Sequence, residues 1–192
     1  RTDAAIKYTT KALQIYQNLK TESPVDIADA LYNLSLMHYK KQETEEALKY
    51  LNESLDLYFA HKDKNDIKIA VALETKGMLL ESLERVPEAI GAFDQALKIC
   101  DAHKERSPKI AKIYYNIATI YSELFAEKLE DAQTYAHKAL EIASADKNSN
   151  FYAESKALVD VLDHNVKHKQ TINKDEDEED HVCDEHCKHH HH

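Results

Sequence analysis

Ala28-Asp29-Ala30-Leu31-Tyr32-Asn33-Leu34-Ser35, running through Tyr39-Lys40 to Glu46-Ala47-Leu48, Tyr50-Leu51 and Ser54-Leu55, is the stretch that decides how this chain folds. Its apolar residues return about one helical turn apart, as Ala28, Leu31 and Leu34 do at every third position, which suits a helix with one buried face. A short polar link, Lys41 to Glu43, separates two such helices. The pattern then recurs along the chain. Ala5-Ile6, Ala47-Leu48 and Ala89-Ile90 lie 42 residues apart, and each is followed seven residues later by Ala12-Leu13, Ser54-Leu55 or Ala96-Leu97. A fourth copy, Ala132 with Ala139-Leu140, follows at 43. A second set, Ala28, Ala70, Ala111 and Ala153, interleaves with the first at spacings of 42, 41 and 42. Two kinds of helix therefore alternate, and the recurring small residues mark places where helices cross too closely for a larger side chain.

The ends of these helices are written in the sequence as well. Ser23-Pro24 and Ser107-Pro108 set a capping hydroxyl before a proline at the first helical position, where its missing N–H costs nothing. Asn65-Asp66 and Asn148-Ser149 are the caps of the other two copies, and a longer link near Glu127 to Glu130 carries two additional residues. Eight helices are predicted, over approximately 2–20, 24–41, 44–61, 65–83, 86–103, 107–125, 129–145 and 149–169. None can bury its apolar stripe alone, so stacked neighbours must share a core.

The 192 residues are 43% apolar and 31% charged, which suits a folded chain. Two glycines and three prolines leave little turn chemistry for hairpins, and no GxxxxGK[ST] or GxGxxG phosphate loop occurs. No apolar run reaches the roughly 18 residues that a bilayer demands and no leader opens the chain, so a cytoplasmic protein without membrane insertion is expected. Arg1 in place of Met points to a fragment of a longer protein. From Lys174 onward there are 8 acids and 2 lysines, so the body carries 27 acids against 23 bases, net −4 of the total −10. No basic face emerges that could release counterions from a phosphate backbone, so no nucleic acid is expected as ligand. Cys100 stands alone in the body, which argues against a disulfide framework.

The quoted stretch, together with Ala111-Lys112-Ile113-Tyr114-Tyr115-Asn116-Ile117-Ala118, Tyr121, Asp131-Ala132 and Ala139-Leu140, resembles the tetratricopeptide repeat (TPR) over roughly Thr2 to Lys169. Members of that family repeat at about 34 residues. The 42-residue spacing and the Ser-Pro-x-x-Ile-Ala lead-in resemble the longer kinesin light chain type. The expected fold is thus all-α: a right-handed α-α superhelix, a TPR solenoid of eight antiparallel helices in three full repeats flanked by two half repeats. Residues 1–170 form the repeat domain. Residues 171–192 form an acidic, disordered tail with a Cys/His cluster and a histidine tag. Lys76 departs from the pattern where Leu34 and Ile117 stand, and the last helix, with Asp160, Asp163, His164 and Lys167, suits a terminal cap.

The resemblance implies a protein–protein interaction scaffold whose first helices line a concave groove that binds a partner peptide or helix. The peptide-binding residues it assigns are Tyr32, Asn33, Leu36, Tyr39, Lys40, Glu74, Met78, Glu81, Lys112, Tyr115, Asn116 and Thr119, with Asp29, Val71, Thr75 and Ser122 beside them. Asn33 and Asn116 would hold a ligand backbone, since an amide offers donors and an acceptor together. Lys40, Glu74, Glu81 and Lys112 would set charge preference, favouring a mixed or partly basic ligand. The alternative reading is a ligand-gated regulatory domain of a larger protein, responsive to a peptide or a metal. The convex face is the other candidate surface, and Tyr16 and Tyr58, read as exposed, would serve binding there or weak self-association.

No enzyme is expected. His38, His61, His103 and His137 lack a paired nucleophile or an HExxH spacing, there is no catalytic set, and no cofactor is called for. Cys100 reads as a small buried hydrophobe. No metal is expected in the repeat body. In the tail, His181, Cys183, His186 and Cys187 are the candidate ligands, since two thiolates and two imidazoles suit zinc or copper(I), although their spacing matches no standard finger.

Overall fold

The computed structural model describes residues 7, 10, 11, 23–103 and 106–187, with side chains described as far as Thr171. Within them are seven α-helices, two 3₁₀ turns and no strand: α1 (Pro24–Lys40), α2 (Thr44–His61), α3 (Ile67–Ser82), α4 (Val86–Ala102), α5 (Pro108–Leu124), α6 (Leu129–Ala143) and α7 (Asn150–Cys187). The helix expected over 2–20 lies outside the described residues, apart from Lys7, Thr10 and Lys11, which are helical. The chain divides into two compact units, Arg1–Arg106 and Ser107–His192.

Each cap operates as its residues dictate. Ser23 accepts from the Val25 N–H with Pro24 at the first position, and Asp66 accepts from the Lys68 N–H at 2.8 Å. Ser107 and Ser149 serve α5 and α7 in the same way, receiving the N–H groups of Ile110 and Tyr152. Leaving the helix is less predictable. α1 and α3 both end with a left-handed residue that is not glycine: Gln42 (φ 64°) and Glu84 (φ 59°), one repeat apart. Around them the same two bonds form, Gln42 N–H to Tyr39 C=O and Glu43 N–H to His38 C=O, then Glu84 N–H to Glu81 C=O and Arg85 N–H to Leu80 C=O. This is the Schellman arrangement, with the left-handed residue one position beyond the C-cap. In the second unit the two additional residues replace it with a 3₁₀ turn, Ala126–Lys128.

In the first unit α1 packs on α2, α2 on α3 and α3 on α4. The recurring small positions lie where these helices touch. Ala28, Ala47, Ser54, Ala70, Ala89 and Ala96 are fully buried, and the Ser54 hydroxyl donates to the Ala28 carbonyl at 2.7 Å, tying one small site to the other. Gly77 sits under Phe93: a Cβ there would lie 2.3 Å from the ring. One repeat earlier the same two positions hold Ser35 and Leu51, so a smaller residue on the first helix is matched by a larger one on the second.

In the second unit α5 packs on α6 and α6 on α7. Ala111, Ala132 and Ala139 again are fully buried, with Ile117, Ala118 and Tyr121 beside them. Tyr114 and Tyr135 stack at 5.8 Å, with Lys138 over both rings. The last helix departs from expectation in two ways. Ala153, assigned to a close crossing, is exposed, and Ser155, Val159, Leu162 and Val166 form the buried stripe instead. The 3₁₀ turn Ser144–Asp146 that precedes α7 accompanies this change of register. The helix also continues to Cys187 instead of stopping near 169. No glycine or proline lies between Asn150 and Cys187 to stop it, and Glu, Lys and Gln favour a helix.

Candidate functional site

In the first unit the expected binding face combines α1 and α3. Asn33 and Lys40 are exposed two turns apart on one face of α1, while Tyr32, Leu36 and Tyr39 beside them are half-buried. Tyr32 is fixed from below. Its hydroxyl lies 3.2 Å from Thr75 Oγ1, which in turn donates to the Val71 carbonyl at 3.0 Å, so Tyr32 is the donor of the pair. Burial pushes the Tyr32 phenol above its usual range, and the nearby Glu74 carboxylate adds to the rise. Glu74 itself is 8% exposed, whereas Met78 and Glu81 further along α3 are half-buried. The face therefore offers an exposed amide and ammonium over a floor of aromatic and aliphatic groups, and little of its carboxylate at 74.

Asp29, on the same helix, is engaged within the unit. It accepts from Lys68 Nζ of α3 at 2.6 and 2.9 Å and from the Tyr58 hydroxyl of α2, so one carboxylate clasps three helices. Burial raises its pKa, but the hydrogen bonds from Lys68 and Tyr58 outweigh that and hold it below the ordinary carboxylate value. Tyr58 is correspondingly pushed up, by burial first and by its bond to Asp29 second. This corrects the reading of Tyr58 as exposed. At 2% exposure it is a core residue whose hydroxyl needs a partner, and it offers nothing to an outer-face ligand. Tyr16 lies outside the described residues.

In the second unit Lys112 is exposed on α5 and Tyr115 and Asn116 are half-buried. The Tyr115 ring meets Phe151 of α7 edge-on at 5.6 Å, and Asn116 already makes an interaction within the protein. Thr119 Oγ1 donates to the Tyr115 carbonyl at 3.0 Å, so its hydroxyl serves the helix and its methyl is what remains for a ligand. Ser122 donates to the Thr119 carbonyl at 2.8 Å. Each unit thus repeats one motif, an asparagine beside a wedged tyrosine on the first helix of a pair.

The other singled-out residues have structural settings. Cys100 is buried. His38 lies 2.6 Å from Glu43 and stacks on Tyr50, and His137 reaches Asp163 at 2.9 Å. Gln133 and His137 together hold the Asp163 carboxyl below its ordinary value. Lys76 is half-buried and faces Glu88 electrostatically. Among the described residues, no three His, Cys, Asp or Glu are gathered as a metal site. The candidates His181, Cys183, His186 and Cys187 lie along the end of α7, with side chains outside the described set. A cavity of about 750 Å³ opens in the second unit where the end of α5 and the turn after it face α7; sequence reasoning did not anticipate it. No helix among the described residues is long and apolar enough to cross a membrane.

Comparison with known proteins agrees with this architecture. Two models described as tetratricopeptide repeat match residues 28–61 and 68–145. Sequence comparison with curated proteins gives no significant match. Among solved structures, BtubC (BKLC) from P. vanneervenii is similar at TM-score 0.68 and 16% identity, covering 88% of this chain and 74% of that one. TPR-like repeats of kinesin light chain kind from Podosopora anserina give TM-score 0.68 at 11% identity, covering 90% and 82%. The apo form of RapI gives 0.70 at 17%, covering 89% of this chain and 60% of RapI. At these identities the likeness is one of fold.

Proposed function

The chain belongs to the tetratricopeptide repeat family and supports a protein–protein interaction role; from that premise we propose that it binds a partner peptide or helix along the first helices of its repeat pairs. The observation that carries this reading is the arrangement on α1, where exposed Asn33 and Lys40 stand over half-buried Tyr32, Leu36 and Tyr39. Asn33 meets the ligand backbone with its amide, which suits peptides of varied sequence. Tyr39 and Leu36 supply apolar contact from positions already ordered by the fold, so little side-chain entropy is lost on binding. Lys40, Glu81 and Lys112 set charge preference, with Glu74 contributing through its field from a buried position. Asn116, Tyr115 and Thr119 form the corresponding face in the second unit.

The chain works by binding, without chemical turnover, in the cytoplasm. The test is affinity capture from native lysate with the full chain and with an Asn33→Ala, Asn116→Ala variant of equal helicity, followed by peptide arrays of whatever is captured. Partners lost from the variant, with peptides that compete for wild type alone, support the reading. Partners held equally by both sink it and move recognition to the second helices.

A further inference from the structure

Two imidazoles in the cavity of the second unit have no carboxylate partner among the described residues. Among the described histidines, His38 and His137 are each bound to a carboxylate. His164 and His168 instead touch each other, with ring centroids 6.4 Å apart, and both line the cavity. They lie four residues apart on α7, and this spacing sets two side chains on one face of a helix, about 5–6 Å apart at Cβ. Both are exposed, so solvent and solute reach them without any part of the fold opening. Glu127, from the 3₁₀ turn that follows α5, and the Asn165 amide line the same space, and Ser122 closes the α5 side. Lys169 also lines it.

We propose that His164 and His168 chelate one divalent transition-metal ion, of the Zn²⁺, Ni²⁺ or Cu²⁺ class, in this cavity. Imidazole suits these borderline ions, and two histidines one turn apart on a helix meet one ion from a single face. Zinc sits about 2.0–2.1 Å from each ligating nitrogen, which requires the rings to close by about 1 Å, a small χ rotation for exposed side chains. Glu127 supplies the counter-charge across the cavity. Two protein ligands leave open coordination positions, which water occupies or a carboxylate, imidazole or thiolate of a bound partner completes. The site is thus a metal-dependent contact point at the end of the repeat domain, independent of the faces on α1 and α3.

The test is titration calorimetry with Zn²⁺ alone on the full chain, with His181, Cys183, His186, Cys187 and the four terminal histidines changed to alanine so that the tail cannot bind. One equivalent of Zn²⁺ with micromolar affinity is expected. Loss of a ligand weakens a metal site at least as much as loss of an outer-shell partner, so His164→Ala and His168→Ala should each weaken binding by about tenfold or more. His61→Ala, on a different helix, should leave it unchanged. With Cu²⁺ as probe, the electron paramagnetic resonance spectrum should show two coupled imidazole nitrogens, falling to one in either single variant. Equal helicity of all variants removes misfolding as an explanation. Absence of stoichiometric Zn²⁺ in the tail-silenced chain, or affinity that survives either substitution, overturns the proposal.

Discussion

The chain's two glycines should respond to alanine with opposite signs, and the structure says why. Both lie inside helices of the first unit, Gly77 on α3 and Gly91 on α4, so both report on one unfolding transition. Backbone entropy alone favours either substitution, by roughly 1 kcal/mol for a helix interior. At Gly91 nothing lies within 4 Å of the added methyl, so that gain should appear in full. At Gly77 the methyl would meet Phe93 at 2.3, 2.5 and 2.7 Å from three ring carbons. Carbon atoms rest near 3.5–4.0 Å, so the ring must retreat by about 1 Å. Phe93 is fully buried and has no open side to move into. Overpacking of this kind costs about 1–3 kcal/mol, which after the entropic gain leaves Gly77→Ala about 0–2 kcal/mol less stable than wild type. Urea unfolding followed by helical ellipticity reads both variants, with equal m-values confirming the same transition. The two should differ by the overpacking cost itself, about 1–3 kcal/mol, and a size of 192 residues converts each kcal/mol into about 2–4 °C of Tm. Phe93→Leu should reduce the Gly77→Ala penalty by about 1 kcal/mol or more, since leucine is what the preceding repeat uses at residue 51. A Gly77→Ala protein as stable as Gly91→Ala would refute the close approach, and with it the pairing of small and large residues between repeats.

Other perturbations probe different terms. Ser35 and Ser155 are fully buried with hydroxyls that have no hydrogen-bond partner among the described residues, so alanine at either should leave stability unchanged or raise it by up to about 1 kcal/mol; a clear loss in thermal unfolding would show a partner that the packing does not reveal. Gln42→Gly and Glu84→Gly should each stabilise by about 1 kcal/mol, because the left-handed backbone strains a residue with a Cβ; destabilisation in denaturant melts would mean that the turn depends on the side chain. Tyr58→Phe should cost about 1–2 kcal/mol by removing a buried donor to a carboxylate. Asp29 has a lowered pKa, so its contribution is complete above its ordinary value of 3.8 and is lost as pH falls through the lower folded value. Wild type should therefore exceed Asp29→Asn in stability at neutral pH, with the gap closing in strong acid; a gap that persists there would contradict the clasp.

The sequence by itself determined the alternation of two helix types, their caps and most of their boundaries, because these depend on local chemistry. A serine before a proline caps a helix wherever it stands, and small residues at a 42-residue period announce where helices must come close. The family resemblance likewise implies a ligand-facing role for Asn33 and Asn116. Tertiary structure decided what depends on the neighbour. Tyr58 looks like a surface tyrosine until Asp29 from another helix receives its hydroxyl, and Asp29 looks available until Lys68 reaches it from a third. Gln42 and Glu84 give no turn signal, since the left-handed cap there is imposed by the two helices it joins and not favoured by the residue. Ala153 continues the numerical repeat yet is exposed, because the face of α7 that packs inward carries Ser155, Val159, Leu162 and Val166 instead. His164 reads as part of a polar end cap, and only packing against the end of α5 and its following turn sets it with His168 in one cavity. Local rules fix how each helix begins; which side chains it spends on its neighbours, and which it leaves for a ligand, is fixed only when the helices meet.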